Sequence, residues 1–490
     1  MVPSSWAMPR TSNLVGMGTV DLGTTERYQL TTPRRSEWID HTPGMADASA
    51  AWLAGLDGRL AAADRRAEVI LGTPILAPAA VVRLGRLIAD TAPRLAPGLL
   101  ARDGDAIIVA LAKLAIRGGP TYVKLGQLIA TTRGLMPDNV TDAFAGCRDA
   151  VPPASSAAIA STLRRSGVLD AVRSWDRDPI ASASVAQVHA AVLNDGTEVV
   201  IKVRRPGIVG LVASDAAYLM PALQFAEARD ERLRVANLSG AVELMLRLFA
   251  QECDLVLEAT SAVQLALAFE KAGVDVHVPA PLPGLVTKRV MVMERVHGVS
   301  AADVEGSAQF GHVAGDLVRL AIAGVLETTL VDGIFHGDLH PGNVLITESG
   351  MSLVDFGIVG RLTQQQRMAL VRLLPAAFAE DRTGIVEALE AFGALPEGVD
   401  AQAFLDILPT PPTDEERRQM MNDPDFLEQR IRMLLRAVTA AGFKAPPQLT
   451  LFFKNILYLG DAVARHAPDM DVIAETSAAV LRVASRLGAA

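Results

Sequence analysis

Cysteine is nearly absent from this 490-residue chain, which contains only Cys147 and Cys253. The two lie in unrelated segments, do not have the spacing of a metal site, and are too few to hold together a small secreted domain. They are most simply the reduced thiols of a cytosolic protein. The composition therefore argues against the disulfide-rich secreted class and gives no sign of a cysteine-bound metal.

The chain also lacks a long apolar run, although half of its residues are hydrophobic and its mean hydropathy is +0.27. A membrane-spanning helix needs roughly 18 or more apolar residues without charge or proline, and no such stretch is present. The best candidate, residues 69–82, is short and holds Pro74 and Pro78. The start shows no basic segment followed by an apolar core, as a secretory signal would. We expect a cytoplasmic protein without a transmembrane helix, whose membrane contact, where it occurs, is peripheral.

Positive charge is scarce and unevenly composed. The net charge is −9 and no basic block is present, which argues against a nucleic-acid partner. Only seven lysines accompany 39 arginines. Because arginine serves the ordinary surface needs of this chain, a lysine in a special setting is more informative than usual.

The apolar pattern predicts an α+β protein with two lobes. Residues 1–45 resemble a flexible leader, and residues 46–175 show helical periodicity broken at four prolines (Pro74, Pro78, Pro93 and Pro97). Residues 176–298 are predicted to form a small antiparallel sheet lobe, and residues 299–385 a mainly helical lobe. Residues 386–490 are predicted to form a helical tail.

Within the sheet lobe, residues 185–193 and 197–203 are β-rich, with the hairpin signal Asn194-Asp195-Gly196 between them. One long helix is predicted near residues 238–271. Extended segments near 274–278 and 285–296 are predicted to complete the same sheet.

Two motifs in the helical lobe carry the chemistry. The run His336-Gly337-Asp338-Leu339-His340-Pro341-Gly342-Asn343 lies between a long helix and a short strand, and a second strand leads to Asp355-Phe356-Gly357. Phosphoryl transfer from ATP needs one carboxylate to orient the attacking group, and an amide oxygen with a second carboxylate to hold magnesium. Either motif alone could be only a turn. Together they predict Asp338 as catalytic base, Asn343 and Asp355 as Mg²⁺ ligands, and a structural role for His336.

A kinase-like fold also needs a strand lysine on the phosphates and a helix glutamate to fix it. Val200-Ile201-Lys202 provides the lysine. The segment 251–258 offers three carboxylates, of which Asp254 and Glu258 share a helix face. We predict that Glu258 is the partner of Lys202.

The loop expected over the phosphates lacks the usual glycines. At the mouth of the hairpin stands Ala181-Ser182-Ala183-Ser184, whose methyl groups let backbone amides approach phosphate less freely. The hydroxyls of Ser182 and Ser184 are candidate replacement donors. Glu294, in the extended segment 285–296, is also counted as a candidate nucleotide contact.

Taken together, these residues resemble the UbiB family of atypical kinases, which is linked to ubiquinone and other prenyl-lipid metabolism. The resemblance rests most specifically on Lys124, Gly126 and Gln127, which match the Lys-x-Gly-Gln signature of the family, and on Glu252 and Asp254, which match its Glu-x-Asp motif. It spans about residues 110–365, includes Pro152-Pro153, and extends to the alanine-rich loop.

The resemblance implies a protein-kinase-like fold with an added N-terminal helical extension and ATP and Mg²⁺ as cofactors. It also implies a signature helix that lies over the active site and couples to the Glu-x-Asp segment. Prenyl lipids or enzymes of quinone metabolism are the partners it implies. Ser182 stands where part of the family has alanine, which leaves the nucleotide preference open, and the tail lacks the apolar membrane segments of some bacterial relatives.

Three functions stay open at this level. The first is a UbiB-type kinase or ATPase; a helix predicted from about Thr363, with no Ala-Pro-Glu motif, argues against a protein substrate. The second is a phosphotransferase of the aminoglycoside or choline type, against which Lys124 to Gln127 and the alanine-rich loop argue. The third is a nucleotide-gated lipid-binding scaffold with little turnover.

Overall fold

The computed structural model describes most of the chain: residues 42–101, 103–131, 138–147, 151–229, 238–378, 381–395 and 446–488, with isolated positions at 406, 413, 415, 416 and 433. The predicted leader, residues 1–45, lies outside the described residues except for its last four positions. Met45 is fully buried and begins the first helix, so the ordered structure starts inside the predicted leader.

Helices form the N-terminal extension. They are α1 (Met45–Ala54), α2 (Leu56–Leu71), α3 (Pro78–Ala101), α4 (Gly104–Gly118), α5 (Pro120–Thr131) and α6 (Asp138–Phe144). The chain breaks between α2 and α3 at Pro74, and Pro78 starts α3, where its missing N–H costs nothing. The predicted breaks at Pro93 and Pro97 are wrong, because α3 continues through both residues.

The upper lobe combines the next helices with an antiparallel sheet. Its elements are α7 (Ser156–Ser166), β1 (Val172–Trp175), β2 (Ala181–Ser182), β3 (Ala186–Leu193), β4 (Glu198–Arg204), α8 (Ile208–Glu227), α9 (Leu238–Glu252), α10 (Leu255–Ala272), β5 (Val276–His277), β6 (Pro281–Val286) and β7 (Val290–Glu294). The strand order is β1-β3-β4-β7-β6, and β2 pairs with β3. The predicted lobe boundaries at residues 175 and 298 stay predictions. Strand β1 begins three residues before the first of these boundaries.

Helices cover both faces of this sheet, and the strand period of two therefore decides what each side chain meets. Val199, Ile201 and Val203 of β4 pack with α7. Val200 lies on the other face, in a cluster with α1 and α10. Lys202 shares that face, so the alternation of β4 directs the lysine toward α10.

Two predictions in this lobe need correction. The single helix predicted over residues 238–271 is two helices, because Asp254 leaves the helical conformation (φ −122°, ψ 96°) and caps α10 by accepting a hydrogen bond from the Val256 amide at 3.1 Å. The segment at 274–278 does not join the upper sheet: β5 pairs in parallel with the later strand at 350–353. Two residues are too few to show this preference in sequence.

The lower lobe follows. Its elements are β8 (Val299–Ser300), α11 (Val304–Ala308), α12 (Ala314–Glu327), a π-helical turn (Thr328–Asp332), β9 (Ile334–His336), β10 (Val344–Thr347), β11 (Gly350–Leu353), β12 (Val359–Arg361), α13 (Gln364–Phe378), α14 (Arg382–Phe392), α15 (Pro447–His466) and α16 (Val472–Gly488). One hydrophobic core contains residues from each of the helices α12 through α16. In this core Phe452 of α15 packs edge-to-face on Phe335 of β9, with 5.9 Å between the ring centroids. The predicted two-lobed α+β fold is confirmed, and α15 belongs to the lower lobe.

One helix in the described part of the chain, α8, is long and apolar enough to cross a membrane by length and composition alone. It contains Asp215 and Pro221 and packs against α2, α3 and α9. Asp215 is fully buried and pairs with Arg83 of α3 at 2.7 Å, so part of this helix lies within the helical extension.

The β3–β4 turn provides a test of the hairpin. Gly196 has φ +95° and open space around its Cα, so a Gly196→Ala change is opposed by backbone strain and by no contact. We expect it to lower the free energy of unfolding by about 1–2 kcal/mol in denaturant titrations. Gly85→Ala, in the interior of α3 and equally open, should raise it by about 0.5–1 kcal/mol. Equal effects of the two changes would contradict the assigned turn.

Candidate active site

A buried ion triad lies between the lobes. Lys202 of β4 places its Nζ 2.5 Å from Glu258 Oε1 of α10 and 2.9 Å from Asp355 Oδ1, which follows β11. The Lys202 and Glu258 side chains are almost fully buried, whereas the Asp355 side chain is 40% exposed to the cleft. Lys202 and Asp355, which are 153 positions apart in sequence, thus form an ion pair. The Glu258 carboxylate lies inside the protein, whereas the Asp355 carboxylate is open to solvent.

The triad contains one more negative charge than positive charge when both carboxyls are ionised. Burial opposes the charge on Lys202, but Asp355 and Glu258 hold the pKa of its ammonium above the usual range. Burial also opposes the charge on Asp355, and Lys202 nevertheless keeps the pKa of that carboxyl below its usual value. Burial raises the pKa of Glu258 to about 7 despite Lys202. The triad therefore carries excess negative charge toward the cleft, and a bound divalent cation would neutralise it.

The Asp-Phe-Gly turn is strained in a way that exposes Asp355. Asp355 has φ +63° and, within the described residues, no other non-glycine residue has a positive φ. Aspartate tolerates this conformation better than most residues, but it still costs about 1–3 kcal/mol. Phe356 is fully buried beneath it, and its amide donates to Glu258 Oε1 at 3.2 Å. The buried phenylalanine thus anchors the turn while the carboxylate faces the cleft.

His336 joins the two motifs through the backbone. The Asp338 amide donates to its Nδ1 at 3.1 Å, and its Nε2 donates to the Asp355 carbonyl at 2.8 Å. Burial lowers the pKa of this imidazole, which fits the neutral form with the proton on Nε2. In the structure His336 bonds to the backbone around the loop and points away from the position of a base.

Asn343 and Asp355 stand at the open end of one hairpin. Strands β10 and β11 pair from Val344 with Leu353, and the Val354 amide donates to the Asn343 carbonyl at 2.9 Å. The Asn343 side-chain amide donates to the Asp338 carbonyl at 2.9 Å, which leaves its amide oxygen as the atom for a cation. The hairpin therefore holds an amide oxygen and a carboxylate at its open end, next to the Asp338 loop.

These donors suit Mg²⁺. Magnesium prefers oxygen ligands and is commonly held by one or two protein groups together with substrate phosphates. Within the described residues, no group of three or more His, Cys, Asp or Glu side chains could hold a metal without help. Asn343 and Asp355 fit a metal that shares its coordination with nucleotide phosphates.

The alanine-rich loop is tied to the protein by an arginine. Arg205, which is 7% exposed, donates from Nε to the Ala183 carbonyl at 2.9 Å and from Nη2 to the Ser182 hydroxyl at 2.7 Å. The Ser182 hydroxyl in turn donates to the Val151 carbonyl at 3.1 Å. In this conformation the Ser182 proton is bonded to the segment before α7. A role for Ser182 as a donor to phosphate stays a prediction.

The other members of the loop are also constrained. The Ala183 amide donates to the Ala186 carbonyl at 2.9 Å, and Ala181 pairs with Val188 in the β2–β3 ladder. Ser184 is 9% exposed, so it lies in the protein at the tip of the hairpin. A role for Ala181 and Ser184 in nucleotide binding stays a prediction.

Glu294 contacts residues outside the triad. It ends β7, where the chain passes to the lower lobe, and its carboxylate binds His277 at 3.2 Å and accepts from the Ala280 amide at 3.2 Å. Burial opposes its charge, but the hydrogen bond with His277 lowers the pKa of Glu294. The Glu294 side chain stabilises the segment that connects the two lobes. Its contact with the nucleotide stays a prediction.

The signature helix meets the Asp-Phe-Gly turn through the Glu-x-Asp segment. Lys124 of α5 forms an ion pair with Glu252 at the end of α9. A side chain at Gly357 would come within 3.1 Å of Glu252 Cγ, so Glu252 lies directly against that turn. Gln127 is half-buried on the same helix, one turn after Lys124. Asp254 instead caps α10 and lies 3.8 Å from Arg66 of α2.

The sequence interpretation missed two groups of this site. Arg205 follows β4 in a chain rich in arginine, so nothing marked it as the clamp of the loop. Lys454 of α15 places its Nζ 2.8 Å from Asp338 Oδ1, and Asn455 binds the loop backbone. The scarcity of lysine is the one signal in the sequence that points to Lys454, which lies in the predicted tail.

Gly126 allows the close approach of α5 to residues 144–147, and this contact can be tested. A Cβ at Gly126 would come within 2.5 Å of Cys147 Sγ and 2.9 Å of its Cβ. We expect Gly126→Ala to lower the free energy of unfolding by about 1–3 kcal/mol, as overpacking does. Gly146→Ala, in the same segment but with open space, should change it by less than about 0.5 kcal/mol. A stabilised Gly126→Ala protein would contradict the packing.

Comparison with known proteins agrees with this geometry. A family model described as the ABC1 atypical kinase-like domain matches residues 147–389. An uncharacterized protein of Mycobacterium tuberculosis is 33% identical over 367 residues, which cover 73% of this chain and 74% of that protein. A probable protein kinase UbiB of Azotobacter vinelandii is 32% identical over 365 residues, covering 72% of this chain and 67% of that protein.

Solved structures are more distant. A Mycobacterium tuberculosis protein in complex with erythromycin is 20% identical over 70% of this chain and 91% of that one, with a TM-score of 0.37. The two curated relatives are each more than 30% identical to this chain, and the matched region spans at least two thirds of each of them. This chain belongs to the UbiB family of proteins with an ABC1 atypical kinase-like domain.

Proposed function

We propose that this chain is an ATP- and Mg²⁺-dependent atypical kinase or ATPase that acts on, or in support of, isoprenoid-quinone and other prenyl-lipid metabolism. The observation that carries the proposal is the meeting of Lys202 with Glu258 and Asp355, beside the hairpin end that holds Asn343. A buried cation shared by two carboxylates is costly to maintain, and it is the arrangement with which kinase-like sites hold phosphates.

Each residue has a distinct task in the proposed reaction. Lys202, held by Glu258, binds the α- and β-phosphates of the nucleotide. Asn343 and Asp355 hold Mg²⁺, which when bound supplies positive charge next to the phosphates. Asp338 orients the attacking hydroxyl or water and accepts its proton. Lys202 is charged at neutral pH, since the two carboxylates raise the pKa of its ammonium.

A small-molecule, lipid or water acceptor fits the site better than a protein. Only residues 358–363 separate Gly357 from the start of α13 at Gln364, and β12 within this segment pairs with β9. A peptide-binding platform needs a longer segment at this place, so we assign no protein substrate. The lipid part of the proposal follows from the resemblance to the UbiB family and is supported by exposed apolar residues on α3, of which Val82 is 54%, Ile88 54% and Leu100 86% exposed.

One observation favours gated turnover over fast turnover. Lys124 and Glu252 connect α5 to Gly357, so a movement of the helical extension would reach the Asp-Phe-Gly turn through this contact. A nucleotide-gated lipid-binding scaffold with little turnover is therefore the second candidate. The two candidates share the nucleotide site and differ in the rate of phosphate release.

The metal role of Asp355 provides the direct test. We expect Asp355→Asn to reduce ATP turnover by about 100-fold or more, because it removes the charge that holds Mg²⁺. Turnover is measured as phosphate release with and without vesicles that contain anionic lipid. Mg-ATP should raise the thermal unfolding temperature of the wild-type protein, and ATP with EDTA should not.

Asp381→Asn is the matched control. Asp381 caps α14 through the Gly384 amide at 3.0 Å, and asparagine caps a helix equally well. Its turnover should equal that of the wild type. Equal rates in Asp355→Asn and Asp381→Asn under every lipid condition would remove the proposed metal role, and tight Mg-ATP binding without turnover in the wild type would favour the scaffold.

A further inference from the structure

Helix α15 packs against the catalytic loop that carries Asp338. Asn455, which is fully buried, donates from Nδ2 to the His336 carbonyl and accepts from the Leu339 amide at 3.3 Å. Lys454, the residue before it, binds Asp338 Oδ1 at 2.8 Å. A helix whose first residue is 109 positions beyond Asp338 therefore completes the surroundings of that carboxylate.

The other cationic side chains described at this site are already engaged by protein groups, Lys124 by Glu252 and Arg205 by the alanine-rich loop. Lys202 is engaged by Glu258 and Asp355. Between Asp338 and Asn343 the loop carries His340, whose Nδ1 accepts from the Gly342 amide at 3.0 Å and caps the following turn. Phosphoryl transfer is usually aided by a cation on the transferred group, and removing such a cation is costly.

Lys454 is placed and charged for this task. Burial opposes its charge, but Asp338 and Tyr458 hold the pKa of its ammonium above the usual range. Its Nζ lies 5.5 Å from the centroid of the Tyr458 ring, which supports the cation from the side. The Lys454 and Asp338 side chains are 31% and 24% exposed, so a ligand in the cleft can reach both.

A purely structural role does not account for this arrangement. Asn455 already fixes α15 to the loop through two hydrogen bonds to its backbone, and Phe452 anchors the same helix in the core. The Lys454–Asp338 ion pair is partly exposed, and such pairs add only modest stability. Lys454 is therefore not needed to dock α15 on the loop. Its partly exposed ammonium beside Asp338 is better explained as a group that binds a ligand in the cleft.

We propose that Lys454 is a catalytic residue of this site, a second phosphate-binding cation that contacts the terminal phosphoryl group of ATP. The proposal rests on the proposed ATP-dependent function and adds the C-terminal helix to it.

In the reaction, the acceptor oxygen forms a bond to the γ-phosphorus and the bond from that phosphorus to the bridging oxygen breaks. The electron pair stays on ADP, and the acceptor proton passes to Asp338. Lys454 donates N–H groups to the non-bridging oxygens of the transferred group and offsets the charge that builds up there.

The test compares three variants of the full-length chain. Lys454→Gln keeps a donor toward Asp338 but loses the charge, whereas Lys454→Arg keeps the charge. Lys271→Gln is the matched control, because Lys271 also pairs with an aspartate, Asp332, but is 63% exposed on the last turn of α10. For each protein the affinities for Mg-ATP and Mg-ADP and the rate of ATP turnover are measured.

We expect Lys454→Gln to lower turnover by about 100-fold and to weaken Mg-ATP by about tenfold while leaving Mg-ADP unchanged, since ADP lacks the contacted group. Lys454→Arg should recover at least a tenth of the wild-type rate and keep the preference for ATP over ADP. Lys271→Gln should match the wild type in every measurement. Should Lys454→Gln fail to fold, Lys454→Arg decides, because a lost preference for ATP in a folded Lys454→Arg protein would contradict a charge contact.

The outcomes separate this proposal from the one before it. An unchanged ratio of ATP to ADP affinity in Lys454→Gln overturns the role of Lys454 even when turnover falls, since that result describes a residue that only shapes the loop. Mg-ATP binding without turnover in the wild type overturns the kinase or ATPase assignment, while the affinity ratio still decides on Lys454. A wild-type protein that binds no nucleotide overturns both.

Discussion

The attraction of one buried ammonium for two carboxylates is the constraint on which this structure depends. Lys202, Glu258 and Asp355 come from a strand, a helix and a turn that are far apart in sequence, and their separation in an open form would leave charges buried without partners. The surrounding features serve that meeting. The alternation of β4 directs Lys202 toward α10, the cap at Asp254 starts α10 so that Glu258 follows in its first turn, and buried Phe356 holds the turn of Asp355.

The same triad links the parts of the molecule that lie outside a minimal kinase-like fold. The helical extension reaches it through Lys124, which pairs with Glu252, and Glu252 lies against the Asp-Phe-Gly turn. The C-terminal helix reaches the neighbouring loop through Lys454 and Asn455. Both additions approach the cleft, one beside the metal-binding turn and one beside the predicted base. This placement explains how a chain with an ordinary set of phosphate-handling residues could restrict when and on what they act.

The sequence predicted the parts of the site that are carried by local patterns. The hairpin with Gly196, the strand that bears Lys202, and the order of the Asp338 loop and Asp355 can all be derived from period, turn chemistry and spacing. Helix geometry narrowed the partner of Lys202 to Asp254 or Glu258. Long-range contacts could not be derived in this way. Lys454 lies 116 residues beyond Asp338 on a helix whose charges resemble an ordinary solvated face. Arg205 was hidden by the abundance of arginine. The Ser182 hydroxyl accepts from that guanidinium and donates to the Val151 carbonyl, two contacts that the local sequence does not show. Pro93 and Pro97 failed as breaks because packing of α3 against its neighbours can outweigh the loss of backbone hydrogen bonds.

The central claim, that residues distant in sequence converge on one magnesium nucleotide, is tested most directly by calorimetric titration of Mg-ATP into the wild-type chain and into Lys202→Met. The account predicts one binding site per chain in the wild type, dependence of that binding on Mg²⁺, and affinity at least tenfold weaker in Lys202→Met, measured at a temperature at which circular dichroism shows the variant to be folded. Equal affinity in the two proteins, or no binding to a folded wild type, would contradict it.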